Sequence, residues 1–93
     1  MNVEKLFREW LEETTKLSES SIGKYTRAIR AITKDMLSEG VIDKELYNVT
    51  SSIEFDSMMK DITSNRFFDL KDTKGNRMYS VAMNHYYEFL KSR

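Results

Sequence analysis

The fold of this protein is decided by residues 18–40, SESSIGKYTRAIRAITKDMLSEG. The apolar residues of this stretch follow one another at steps of three and four, as on one face of an α-helix: Ile22, Tyr25, Ile29, Ile32 and Met36. Ser18 stands where a side-chain oxygen can accept from a free N–H of the first turn, and Gly40 stands where a left-handed residue can end the helix. The pattern therefore predicts a helix over residues 19–38.

Four basic residues lie on the opposite face of this predicted helix when it is drawn at about 100° per residue. They form the basic ridge: Lys24, Arg27, Arg30 and Lys34. Each turn rises by about 5.4 Å, so side chains on successive turns can follow the phosphates of one nucleic-acid strand, which are roughly 7 Å apart. The alternative is an ordinary solvated helix surface.

The charges of the chain are balanced overall but unevenly distributed. Fifteen basic and fifteen acidic residues give a formal net charge of zero, which argues against a strongly basic nucleic-acid binder. However, residues 18–34 sum to +3, residues 35–62 to −5 and residues 63–93 to +3. The two basic segments could form one basic face if they lie side by side in the fold, and otherwise they belong to a mixed solvated surface.

Three further helices are predicted, over residues 3–14, 52–63 and 77–91, with Asn2 capping the first and Asn76 the last. A single short turn is expected at residues 43–47. Residues 65–76 are rich in turn formers and are predicted as a long connection, held to the core by three apolar side chains: Phe67, Phe68 and Leu70. Because each helix has one apolar stripe, we expect an all-α fold, a single orthogonal bundle of four main helices over residues 1–93.

Several classes of site and protein are excluded or disfavoured by composition. The chain has no cysteine and one histidine, His85, which rules out disulfides, thiolate zinc sites and multi-histidine metal sites. His85 is interpreted as a structural residue, since no serine or cysteine nucleophile with an orienting partner accompanies it. We expect a non-catalytic, cytoplasmic protein without metal, cofactor, signal peptide or membrane segment, in which the sequon at Asn48 is a chance match.

Both ends of the chain resemble a known family. Residues 6–37 contain a helix ending in the pair Trp10-Leu11, a Leu-Ser cap at residues 17–18, the pair Ser21-Ile22 and then Tyr25. This spacing resembles the opening of the SAM-like core-binding domain of tyrosine recombinases, the phage integrases. Residues 75–90, GNRMYSVAMNHYYEFL, are similar to the last helix of that domain and to the closing helix of N-terminal helical modules of some restriction endonucleases. Residues 41–74 match neither.

The resemblance implies a four-helix DNA clamp in which the second and fourth helices face the duplex. With the remainder of the basic ridge, the positions that would contact double-stranded DNA are Ser20, Ser21, Lys24, Arg27, Arg30, Lys34, Asn76, Arg77 and Ser80. The catalytic domain of a recombinase is absent from these 93 residues. We therefore expect a DNA-targeting N-terminal part of a larger recombinase, restriction nuclease or ATPase, whose other domains would be further partners.

A protein-interaction or dimerisation module is the alternative function. Methionines and aromatic residues between positions 55 and 70 could form an adaptable apolar groove, although at helical spacing such residues also fill cores. Among the aromatic residues, Tyr87 is the one expected to be most open to a binding role, because it points partly outward from the last predicted helix.

Overall fold

The computed structural model describes residues 2–93, and its elements in this range are five α-helices and one 3-10 turn. They are α1 (Val3–Thr14), α2 (Glu19–Ser38), the 3-10 turn (Leu46–Asn48), α3 (Ser52–Thr63), α4 (Arg66–Lys74) and α5 (Met78–Lys91). The described residues contain no strand. The all-α prediction is thus confirmed, with five helices in place of four.

The predicted ends of the first two helices are confirmed. The side chain of Asn2 accepts a hydrogen bond from the backbone N–H of Lys5 at 3.1 Å, and that of Ser18 accepts from the N–H of Ser21 at 3.1 Å. Gly40 has a φ of 72°, the left-handed conformation that glycine adopts without steric cost. These local signals therefore determine where α1 and α2 begin and where α2 ends.

The prediction of a long connection over residues 65–76 is wrong, because residues 66–74 form α4. Asn65 caps this helix by accepting from the N–H of Phe68 at 3.0 Å. Only Phe68 and Asp72 of α4 are buried, so nine residues contain too few apolar positions to show a helical period. Phe67 and Leu70, expected to hold the segment to the core, are 65% and 53% exposed.

The predicted cap of the last helix is also wrong. Asn76 and Arg77 both have left-handed backbones, with φ of 55° and 62°, and the side chain of Arg77, the residue before α5, makes no capping hydrogen bond. The buried carboxylate of Asp72 takes this role from α4: Oδ1 accepts from the N–H of Ser80 at 2.9 Å, and Oδ2 accepts from the Ser80 hydroxyl. A side chain of the preceding helix therefore accepts a hydrogen bond from a backbone N–H that the first turn of α5 leaves free.

Tyr86 of α5 lies at the centre of the core. It is fully buried, and its ring centroid lies 5.2 Å from that of Phe7, 5.0 Å from that of Phe55 and 5.5 Å from that of Tyr47. Its hydroxyl donates to the carbonyl of Val49 at 2.9 Å. One side chain thus joins α1, the 3-10 turn, the loop after it, α3 and α5.

Helices α2 and α5 pack against each other in opposite directions. Near the end of α2, Asp35 pairs with Lys71 at 2.6 Å, and Lys71 precedes the residue that caps the start of α5. Ten residues earlier on α2, the ring of Tyr25 lies 5.1 Å from that of His85, well along α5. The first turn of α5 therefore lies beside the last turns of α2.

Candidate nucleic-acid interface

The basic ridge forms a continuous row on the outer side of α2. Lys24, Arg27 and Lys34 are exposed, and none of them takes part in an ion pair within residues 2–93. The opposite side of the helix is buried through Ile22, Ile29 and other core residues. Packing of α2 thus leaves three full positive charges facing solvent along about three turns.

The remaining residue of the basic ridge, Arg30, forms an ion pair with a glutamate of α1. Arg30 Nη2 lies 2.6 Å from Glu4 Oε2, in a pair whose side chains are 62% and 24% exposed. Both residues line an open cleft of about 830 Å³ between the start of α1, α2 and the 3-10 turn, together with Lys34, Glu45 and Tyr47. Glu4 therefore offsets the positive charge of Arg30 and occupies one of its donor nitrogens.

Two serines extend the ridge at the start of α2. Ser20 is exposed, and Ser21 is half-buried with its hydroxyl oxygen accepting from the Ser18 hydroxyl at 3.1 Å. The Ser21 hydroxyl contacts no group of the described residues other than this neighbouring hydroxyl. Short donors beside a helix N-terminus can bind phosphate oxygens.

The predicted positions at the start of α5 lie elsewhere on the molecule. Since α2 and α5 are antiparallel, Asn76, Arg77 and Ser80 lie near the last turns of α2, roughly 22 Å by helix rise from Ser20. The Ser80 hydroxyl donates to Asp72, and Arg77 Nη1 lies 3.9 Å from the same carboxylate. The structure therefore separates the two predicted helix starts and leaves only Asn76 and Arg77 of this group exposed.

Comparison with models of known protein families identifies the family of this chain. The model of the phage integrase SAM-like domain matches residues 2–57, more than half of the chain. The chain belongs to this family. The match spans α1, α2, the 3-10 turn and the first half of α3, so it includes the whole basic ridge. No curated protein and no solved structure matches the chain. The second resemblance, at residues 75–90, lies outside the matched range.

The SAM-like domain has a further group of cations that the sequence did not predict as part of a site. Arg66 and Lys74 of α4 are exposed and unpaired within residues 2–93, and Lys71 is anchored to Asp35. The hydrogen bond from Lys71 to Asp35 raises the pKa of this lysine. The sequence signal that could have revealed α4 is the cap Asn65 followed by two inward positions four residues apart, Phe68 and Asp72.

The histidine of the SAM-like domain packs against an aromatic ring. His85 is half-buried against Tyr25, and burial lowers its pKa from the usual value of 6.5. Tyr87 is half-buried too, with Lys91 Nζ 5.2 Å from its ring centroid.

Over residues 2–93 there is no group of three or more His, Cys, Asp or Glu placed to hold a metal ion. In the same range, every helix is too short or too polar to cross a bilayer.

Proposed function

We propose that this protein is a non-catalytic DNA-binding module whose α2 follows the phosphate backbone of double-stranded DNA. The observation that carries the proposal is the exposed, unpaired row of Lys24, Arg27 and Lys34 within a phage integrase SAM-like domain. Such cations release condensed counterions when they neutralise phosphates, which drives binding without sequence preference.

The contacts of α2 are expected to be shared between charged and neutral donors. Lys24, Arg27 and Lys34 would bind phosphates on successive turns, and the hydroxyls of Ser20 and Ser21 would donate to a phosphate near the helix start. The resemblance to integrases implies that the second and fourth helices face the duplex. The fourth helix of that resemblance corresponds to α5, whose start lies beside the last turns of α2. Arg66 and Lys74 of α4 are exposed and unpaired within residues 2–93, and on their own charge and position they are proposed as a second set of contacts.

A module of this kind would serve a larger enzyme. Contacts confined mainly to phosphates hold a protein on DNA but supply no bond-breaking chemistry. We therefore propose that it targets a recombinase, or a restriction nuclease or ATPase, to DNA in the cytoplasm, and that the other domains of that enzyme are its protein partners.

The test is duplex binding by the Lys24→Ala/Arg27→Ala variant, measured by fluorescence anisotropy over a range of salt concentrations. If each residue contacts one phosphate, the double variant loses affinity and its log–log salt slope becomes shallower by about two. Both side chains are exposed, so the fold should persist. Unchanged affinity and slope would show that the basic ridge does not bind DNA.

Two control variants separate local contacts from overall charge. Lys60→Ala/Lys91→Ala also removes two positive charges, from α3 and the end of α5, and should leave the salt slope close to that of the unmodified protein. Glu4→Gln releases Arg30 from its ion pair and should make the slope steeper, by up to about one.

Protein interaction is the second candidate function, and one observation favours it. Phe67, Leu70 and Ile53 are large apolar side chains that are 65%, 53% and 84% exposed. The two methionines of this range, Met58 and Met59, are half-buried against the core and expose less of their side chains than these three residues. A dimer that persists at high salt in sedimentation, together with no DNA binding, would favour this function over the first.

A further inference from the structure

The outward face of α4 combines cations with exposed apolar side chains. At about 100° per residue, five residues fall within roughly 120° on the side opposite Phe68 and Asp72: Arg66, Phe67, Leu70, Thr73 and Lys74. All five are exposed, and the one free carboxylate of the helix, Asp69, lies outside this arc. The face therefore presents two apolar groups between two positive charges.

This face lies next to the end of the basic ridge. Lys71 pairs with Asp35, the residue after Lys34, and a groove between the two helices is lined by Met36 and Phe68. Phe67, at the edge of the outward face nearest Lys71, also borders this groove and is 65% exposed. Helix α4 is thereby set against the last turns of α2. A ligand bound along the basic ridge would meet α4 where the ridge ends.

The charge pattern of the face identifies its partner. A second copy packed antiparallel on α4 would bring Arg66 against Lys74, and a parallel copy would bring each cation against its own equivalent, so like charges oppose self-association. A partner complementary to this face of α4 has a polyanionic surface that carries small apolar groups. The major groove of DNA has both, since phosphates border it and thymine C5-methyl groups project into it.

We propose that α4 enters the major groove and that Phe67 and Leu70 contact thymine methyl groups, with Arg66 and Lys74 binding the phosphates on either side. The two apolar side chains are three residues apart and lie on the same face of the helix. The groove is about 12 Å wide and admits an α-helix. This inference rests on the proposed DNA-binding function and adds to it a preference for thymine over bases that lack the methyl group.

The test compares an alternating adenine–thymine duplex with the same duplex containing uracil for thymine, which removes only the C5-methyl groups. The unmodified protein should bind the uracil duplex more weakly, by about fourfold for each methyl group that Phe67 or Leu70 covers. Phe67→Ala/Leu70→Ala should bind both duplexes equally, with a salt slope close to that of the unmodified protein.

Both side chains are exposed, so the core is retained, and circular dichroism verifies this. Ile53→Ala, an exposed apolar residue of α3, is the matched control and should keep the preference.

The possible failures are distinguishable. If the unmodified protein binds both duplexes equally but still responds to Lys24→Ala/Arg27→Ala, the thymine contact is wrong and the phosphate contacts of α2 stand. If the double variant of α4 instead abolishes self-association seen by sedimentation and leaves duplex preference unchanged, the face binds protein and the inference is overturned. If no duplex is bound at low salt, the proposed function itself fails.

Discussion

Asp72 is the polar residue on which the second half of the molecule depends most. Its side chain is only 2% exposed, and its carboxylate accepts from the N–H and the hydroxyl of Ser80. The backbone carbonyl of Asp72 also accepts from the N–H of Arg77 at 2.7 Å. These hydrogen bonds hold the two consecutive left-handed residues before α5 in a conformation that is otherwise unfavourable.

Asp72→Ala should therefore destabilise the domain by about 1–3 kcal/mol, because it leaves the partly buried N–H and hydroxyl of Ser80 without their acceptor. The free energy of unfolding in urea measures the loss. Asp69→Ala, an exposed position on the same helix, is the control and should change stability by less than about 0.5 kcal/mol. Equal effects of the two substitutions would show that the cap contributes nothing.

At the level of elements, the packing of α2 on α5 includes the only histidine of the chain. His85 lies against Tyr25, and burial lowers the pKa of the imidazole below its usual 6.5. The unfolded chain takes up this proton near pH 6.5 and the folded protein only at lower pH. Folding stability contributed by a neutral His85 is therefore present above pH 6.5 and is lost as the pH falls through the interval between the two pKa values.

We expect the thermal midpoint of the protein to fall between pH 7.5 and pH 5.5, and we expect His85→Gln to reduce that fall. Carboxylates titrate mainly below about pH 5, so they contribute little in this interval. Differential scanning calorimetry at several pH values provides the comparison. An identical pH profile for the two proteins would contradict a lowered pKa of the half-buried His85.

The two helices proposed to contact DNA differ in how readily the sequence reveals them. Helix α2 is 20 residues long, with a side-chain cap at its start, a left-handed glycine after it and a regular apolar series, so its bounds were predicted correctly. Helix α4 has nine residues and buries only Phe68 and Asp72. Because a buried aspartate does not register in an apolar pattern, α4 shows no helical period, and its turn-forming residues favour a connection instead.

At the scale of the whole molecule, the core is organised around one aromatic residue. Tyr86 contacts rings from α1, α3 and the 3-10 turn, and its hydroxyl satisfies the Val49 carbonyl in the loop before α3. Burial raises the pKa of this hydroxyl, so it remains a hydrogen-bond donor at physiological pH. The loop between the 3-10 turn and α3 is thereby held against the last helix.

Tyr86→Phe keeps the ring and removes only the hydroxyl, and it should cost about 1–3 kcal/mol because the Val49 carbonyl stays buried without a partner. This is a substantial part of the roughly 5–15 kcal/mol that stabilises a small domain. Urea unfolding again gives the value. The neighbouring Tyr87→Phe removes a hydroxyl from a half-buried side chain and should be nearly neutral. A neutral Tyr86→Phe would mean that the loop does not need this bond.

The helical class, four of the five helices and the basic ridge on α2 could be predicted from the sequence, because apolar spacing, caps and charge on one helix are relations between residues only a few positions apart. Which charges are free depends on how the helices pack. Glu4 and Arg30 are 26 positions apart, Asp35 and Lys71 are 36 apart, and both pairs form because helices from different parts of the chain pack together. The same packing placed the start of α5 far from the start of α2 and turned the cationic, apolar face of α4 outward. An ion pair between residues far apart in the sequence cannot be predicted from local spacing. The chain entropy lost in bringing the two residues together is offset by the packing of the whole core.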